Sequence, residues 1–376
     1  ELHNHGLMKS EQKITIKNKI AINNKIIETK DLEMTLDLFK NNGEINLTNS
    51  TIKAKKMIQS GTIWTENEQN YDLEEWENKG NIYAGKNINI KSTSITNKGR
   101  IQALEKITLQ SKAINQEGLI DAKNKLTINT DQLTNQGLIQ SNNNSQITAQ
   151  TINNQNGQIQ LEGKSNINAT YIDNQLGTLQ IGKANQNSQI TATLLDNQEG
   201  NLNSNGNLTL ITDKLINQKG MIASNDQTTI RSNDIQNQNG SIYANKALTV
   251  ENIINENGTL ISETSVVVRQ SNNQFNNHYG TIQSFGQAGI IIHANESVNN
   301  QMGQMTAVGN IQLNLSTDYV IQGTYNSLNK VNITARSLIN KGVLQAQKSI
   351  VFKTTRGDII NEKIGVIMAY EEVDLT

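Results

Sequence analysis

The chain has 376 residues, no proline, no cysteine and a net charge of −1. Near-neutrality removes the electrostatic footprint of a nucleic-acid binder, the lack of cysteine excludes a disulfide scaffold or thiolate metal site, and no apolar run reaches the roughly 18 residues needed to span a membrane. With 35% hydrophobic and 4% aromatic residues and abundant Asn and Gln, composition alone would suggest disorder, but the few apolar residues recur in register and can share one core.

Gly6 opens the first coil, followed by Met8, Ser10, Ile14 and Ile16. The next, Asn23-Asn24-Lys25-Ile26-Ile27, carries Lys where Gly is expected, and its register drifts through Leu32, Met34, Leu36 and Leu38. Gly43 and Gly61 restart the pattern with Ile45/Leu47 and Ile63/Thr65, so residues 1–60 read as a less regular lead-in. The coil at 61–79 keeps a 19-residue length but reads WTENEQNYDLEEWENK over 64–79, with six carboxylates and no base before Lys79. Within it, Leu73 and Trp76 fall where other coils place core residues.

From Gly80 the pattern is most regular. Gly80, Gly99 and Gly118 recur every 19 residues, each followed by five apolar positions at the same offsets. These are Ile82, Ala84, Ile88, Ile90 and Ile95; Ile101, Ala103, Ile107, Leu109 and Ile114; and Ile120, Ala122, Leu126, Ile128 and Leu133. Pairs two residues apart share one face of a strand, and a period this short predicts a solenoid of short strands rather than helical hairpins. The register continues through Gly137, Gly157, Gly177, Gly200, Gly220, Gly240, Gly258, Gly280, Gly303, Gly323 and Gly342, and Gly323 is followed by Tyr325, Ser327, Val331, Ile333 and Leu338 at the five offsets. Longer spacings after Gly177, Gly258 and Gly280 predict outward loops, for example at Asn185–Ser188 and Asn272–Asn277. A last Gly-x-Ile stands at Gly357-Asp358-Ile359, making 80–357 regular coils and 358–376 a fading end of one solenoid over 1–376. Neither end reads as a leader or a cap, so an internal stretch of a longer filament is expected.

The expected fold is all-β, a right-handed parallel β-helix of about 20-residue coils. Glycine is expected to supply a positive φ at each turn. The Asn before it (Asn97, Asn115, Asn135, Asn217, Asn237, Asn255, Asn340) would tolerate left-handed geometry and hydrogen-bond along its column. Recurring Ala or Ser at the fourth offset (Ala84, Ala103, Ala122, Ser141, Ser204, Ser224, Ser262, Ser284) points to a tight corner. A leucine-rich repeat would want a helical or Pro-bearing convex segment, and a calcium β-roll a Gly-Gly-x-Gly-x-Asp motif; neither is present.

The strings NKGRIQALEKITL (97–109), NQEGLIDAKNKLTI (115–128), NQKGMIAS (217–224) and NKGVLQAQKSI (340–350) resemble the filamentous haemagglutinin repeat. That resemblance implies a non-catalytic extracellular segment of a two-partner-secretion exoprotein, exported through an outer-membrane transporter partner to the bacterial cell surface. It implies a stalk or receptor-binding region of a contact-dependent growth inhibition protein or, alternatively, of a host-cell or biofilm adhesin. The family's amino-terminal secretion domain carries Asn-Pro motifs, which a chain without proline lacks.

A β-helix polysaccharide enzyme would cluster carboxylates with Arg or Lys on one face, whereas the acids at 66–77 have no companion Arg or His in sequence. No metal or cofactor is expected: His3 and His5 form an H-x-H at a terminus, far from His278 and His293. Arg356-Gly357-Asp358 spells the tripeptide that integrins recognise, but Gly357 also falls where the repeat asks for glycine. The third offset must face outward and reads Gln102, Asp121, Gln140, Gln160, Gln180 and Asn203, but Trp64 and Tyr83 after Gly61 and Gly80, and Tyr243 and Ile261 further on. Exposed aromatics beside acids predict a recognition patch comprising Trp64, Glu66, Glu68, Tyr71, Asp72, Glu74, Glu75 and Tyr83, with Phe275, Tyr279 and Phe285 as a secondary set. Its partner would be a protein or glycan receptor on a target cell.

Overall fold

A computed structural model describes residues 1–272 and 274–376. The chain divides into two compact units, Glu1–Ile181 and Gly182–Thr376. Each is a parallel β-solenoid, and among the described residues there is no helix.

In the first unit the period of the sequence becomes the period of the ladder. Ile82, Ile101, Ile120, Ile139, Ile159 and Leu179 pair in register on successive coils and are all buried. A regular coil has three strands, such as Asn81–Ala84, Asn87–Lys91 and Ser94–Asn97, separated by tight corners. In the coils before it the three run on as single bent strands, Ile26–Asn41, Glu44–Gln59 and Thr62–Asn78. All fifteen apolar positions read from the three regular coils are in the core. Each fully buried Ile or Leu contributes about 1.5–3 kcal/mol, which lets so small an apolar fraction hold the coil. The coil with Lys25 does not drift: Leu32, Met34 and Leu36 are inward, and Phe39, not Leu38, pairs with Met57 in the core.

The second unit repeats this plan with longer turns. Leu210 and Ile230 pair in its core, as do Leu260 and Ile282. Tyr325, Ser327, Val331, Ile333 and Leu338 are all buried. The extra residues after Gly177 form a loop over 182–186, with positive φ at Gly182 and Asn185, but Ser188 returns to the interior. Of the loop expected at Asn272–Asn277, Asn273 lies outside the described residues, while Phe275 and Asn277 are buried rather than looped out. The coil pattern continues past Gly357: Gly365 is the next coil-head glycine, and Val366–Ala369 pairs with Val343–Ala346.

The asparagine column is internal and hydrogen-bonded. In the first unit the Asn78 amide donates to Asn97 at 2.7 Å and Asn97 to Gln116 at 2.6 Å. In the second, Asn197, Asn217, Asn237, Asn255, Asn277 and Asn300 form an unbroken run of such bonds at 2.7–2.8 Å. Asn197, Asn217, Asn237, Asn255 and Asn277 each also donate to a backbone carbonyl of their own turn, as Asn217 does to Gly220 at 3.2 Å, and Asn300 donates to Gln322 on the next coil at 3.2 Å, so buried polar groups that would be costly alone are satisfied. Asn115 is not in the column; it is exposed, and its neighbour Gln116 is buried in its place. Glutamine breaks the chain of amides. Gln59 and Gln116 reach past the next side chain to the carbonyls of Asn81 (3.4 Å) and Leu138 (3.2 Å), leaving Asn78 Oδ1 and Asn135 Oδ1 without partners.

Glycine is required for a different reason from the one expected. Among the described coil-head glycines only Gly323 has a positive φ (78°). A Cβ at Gly99 would lie 2.1 Å from the Gly80 carbonyl oxygen, and one at Gly118 equally close to that of Gly99. Close backbone approach between coils, not backbone conformation, excludes every side chain there. The corner serines do follow expectation: Ser141 donates to the Asn124 carbonyl at 2.9 Å and Ser224 to that of Asp226 at 3.0 Å, so a hydroxyl fits the tight corner by bonding the backbone that turns there.

Candidate functional site

Trp64 lies in the strand Thr62–Asn78 between inward Ile63 and Thr65, so strand alternation turns it outward. It is 47% exposed, the only tryptophan so placed, since Trp76 is 2% exposed. The outward column runs Lys9, Glu28, Asn46, Trp64, Tyr83, Gln102, Asp121, Gln140, Gln160, Gln180, each in register with the next. Trp64 and half-buried Tyr83 therefore stand one strand spacing apart, as expected. Asp121 in this column is nearly covered and paired with Lys123 at 2.7 Å. Beside Trp64, between this column and the first corner, lies a groove of about 280 Å³ whose wall includes Glu28, Lys30, Asn46, Thr48 and Glu66.

The acids of residues 66–77 do not share that face. Glu66 is on the corner bordering the groove, with Thr48 donating to it at 3.4 Å. Glu68 and Asp72 lie on the second stretch of the coil, and Glu74, Glu75 and Glu77 beyond it. The acids find partners on neighbouring coils and in Lys79 at the end of their own. Lys56 pairs with Glu75 at 2.8 Å, Lys79 with Glu77 at 2.6 Å, Asn87 donates to Glu68 at 2.8 Å, and Asp72 stands in register between Lys53 and Lys91. One contiguous acidic patch is thus replaced by a belt of compensated charges, in which Glu66 alone adjoins the exposed ring.

Tyr71 is corrected from surface to core. It is buried, stacks on Trp76 (ring centroids 5.8 Å apart) and donates its hydroxyl to Gln69 at 2.6 Å, while burial pushes its pKa well above the ordinary tyrosine range. Gln69, also buried, donates to the Tyr83 carbonyl at 2.7 Å and to Thr65 at 3.0 Å. This coil is therefore unusual inside as well as outside: a Thr65–Gln69–Tyr71 cluster replaces two aliphatic layers. The signal was present in sequence, because Gln69 and Tyr71 align with Ile88 and Ile90.

Among the secondary candidates, Phe275 is fully buried and so is a packing residue. Tyr279 is exposed on the turn before Gly280, and Phe285 on the corner after Thr281–Ser284. They occupy different edges of the coil. Sequence reasoning missed other exposed apolar side chains: Met302 beside Tyr279 on the next turn, and, along the corner column that holds Phe285, Leu328 beyond Val308 and Tyr370 beyond Gln347. Arg356-Gly357-Asp358 is exposed on a turn between strands, and Gly357 is not a coil-head glycine. His3 and His5 stack at 6.2 Å with Glu1 at 3.1 Å from His3, and among the described residues no three potential ligands gather around a metal-sized site.

The family model for the haemagglutinin repeat matches residues 77–181 and 306–363. No curated protein and no solved structure matches the chain. Trp64 precedes the first matched stretch and Tyr83 lies within it. The matches support a filamentous-haemagglutinin-type repeat region, carried on the coils described above.

Proposed function

We propose that the chain is a non-catalytic segment of an extracellular, adhesin-like exoprotein, exported by an outer-membrane transporter partner, whose Trp64–Tyr83 face engages a receptor on a target cell. One observation carries the reading: a coil of unchanged length that sets a half-exposed tryptophan directly against a tyrosine on the next coil. Aromatic side chains supply large contact area at low entropic cost and dominate recognition surfaces. The repeat match supports the filament context. Within it we favour a contact-dependent growth inhibition protein, with a host-cell or biofilm adhesin second; a toxin domain with an adjacent immunity gene downstream distinguishes the first.

The test is attachment of the fluorescently labelled chain to target cells. Trp64→Ala combined with Tyr83→Gln should abolish attachment while the melting temperature stays within a few degrees. Undiminished attachment of the double variant overturns the assignment of this face.

A further inference from the structure

We infer that the groove at Trp64 is a carbohydrate subsite, taking one uncharged hexopyranose of a chain that runs along the outward column. This rests on the receptor reading above and names the class of ligand.

The chemistry of the wall selects it. Besides the tryptophan ring the only apolar side chain bordering the groove is Leu47, which is itself buried. A protein anchor needs a desolvated apolar pocket, which one ring over a polar floor does not make. An anionic group would face the carboxylates of Glu11, Glu28 and Glu66, and a cation the ammonium groups of Lys9 and Lys30. A pyranose suits both requirements: its C–H face packs on an indole, whose π-face is electron-rich, and its hydroxyl rim needs donors and acceptors together. Glu66, Glu28 and Asn46 offer acceptors, and Lys30, Thr48 and Asn46 offer donors.

These groups are held before any ligand arrives. Lys9 pairs with Glu28 at 3.2 Å, Thr48 donates to Glu66 at 3.4 Å, and Asn46 donates to Glu44 at 3.0 Å. Lys9, Glu28, Asn46 and Glu44 stand on hydrogen-bonded ladders that fix their backbones, while Thr48 and Glu66 sit at the corner and are held by their mutual hydrogen bond, so little ordering remains on binding. Along the column Tyr83 lies ~4.8 Å from Trp64 and offers a second ring. Gln102 and Gln140 beyond it are amides that can bond further hydroxyls. A linear oligosaccharide parallel to the stacking direction meets the two rings first and the amide row afterwards.

The two tryptophans make the test internal, because buried Trp76 reports the fold and exposed Trp64 the site. The 376-residue chain is titrated with the tetrasaccharides of β-1,4-linked glucose and of β-1,4-linked N-acetylglucosamine, followed by emission and calorimetry, with a sulfated tetrasaccharide for comparison. We expect a saturable blue shift with an uncharged tetrasaccharide. Trp64→Ala should weaken binding at least about tenfold, Glu66→Gln by several-fold, and Trp64→Phe should retain most affinity. Absence of a saturable response to both uncharged tetrasaccharides overturns the inference, as does preference for the sulfated one. Competition of cell attachment by the free uncharged tetrasaccharides separates the two readings. Attachment that depends on Trp64 yet is not displaced by saturating amounts of either tetrasaccharide makes the ligand a protein and leaves the receptor reading standing. Attachment indifferent to Trp64→Ala removes the receptor reading itself.

Discussion

Two stretches of the molecule make the same turn in different ways. Over 61–137 the coil-head turn is short: the Gly99 amide donates to the Asn78 carbonyl of the neighbouring coil at 3.1 Å, as Gly118 does to Asn97 at 3.0 Å. From Asn154 to Gly303 one residue is added. The Gly157 amide bonds back within its own turn to Asn154 at 3.0 Å, and the residue before glycine becomes left-handed: Asn156 (φ 58°), Leu176 (56°), Lys219 (56°), Tyr279 (53°), Met302 (56°). The comparison teaches that a 19- or 20-residue period is a choice of where one amide finds its acceptor. The longer turn costs left-handed strain, about 1–2 kcal/mol for a residue with a side chain, and gains a turn closed by its own hydrogen bond. The amide columns differ in parallel, being continuous from Asn197 to Asn300 but broken after Gln59 and Gln116.

The most damaging way to probe the short turn is Gly99→Ala. The added methyl would meet backbone rather than a yielding side chain, so a loss of about 3 kcal/mol or more is expected, read as a lower denaturant midpoint. A loss below 1 kcal/mol would mean the coils can spread apart. Next in size, Asn217→Leu strips the long column of a member, removing one acceptor of the Asn197 amide and the Asn217 donor to Asn237 Oδ1. About 2–3 kcal/mol should be lost, and a nearly neutral result would reduce the column to packing.

Gln116→Asn should act in the opposite sense. A shorter amide can donate to Asn135 Oδ1, joining two ladder segments, with a gain of about 1 kcal/mol; lower stability would show that the glutamine stem fills needed space. The smallest effects sharpen the comparison by sign. Lys219→Gly relieves a left-handed residue and should stabilise by about 1 kcal/mol, whereas Lys98→Gly, in the short turn without positive φ, should destabilise by about 0.5 kcal/mol. Thermal melts in which both variants move in the same direction would contradict the two-turn account.

The outward placement of the candidate face was legible in advance. Trp64 beside Tyr83, outward on adjacent coils, followed from an odd offset between two inward positions. Tyr71 was misjudged because a window rich in Glu reads as surface, although its alignment with Ile88 and Ile90 marked an inward position. Phe275 was misjudged because a widened coil spacing does not say which of its residues are extra.

The sequence by itself determined the period, the parallel stacking and nearly every inward aliphatic residue, because strand alternation and a fixed repeat are local properties that need no neighbour to be read. Tertiary structure decided what happens between coils: that Gln116 rather than Asn115 enters the amide column, that glycine is demanded by an opposing carbonyl, and that Glu75 meets Lys56 from the coil beside it. Each of these depends on an atom 18 to 19 residues away in sequence and one strand spacing away in space, where side-chain length and backbone clearance, not local pattern, choose the outcome.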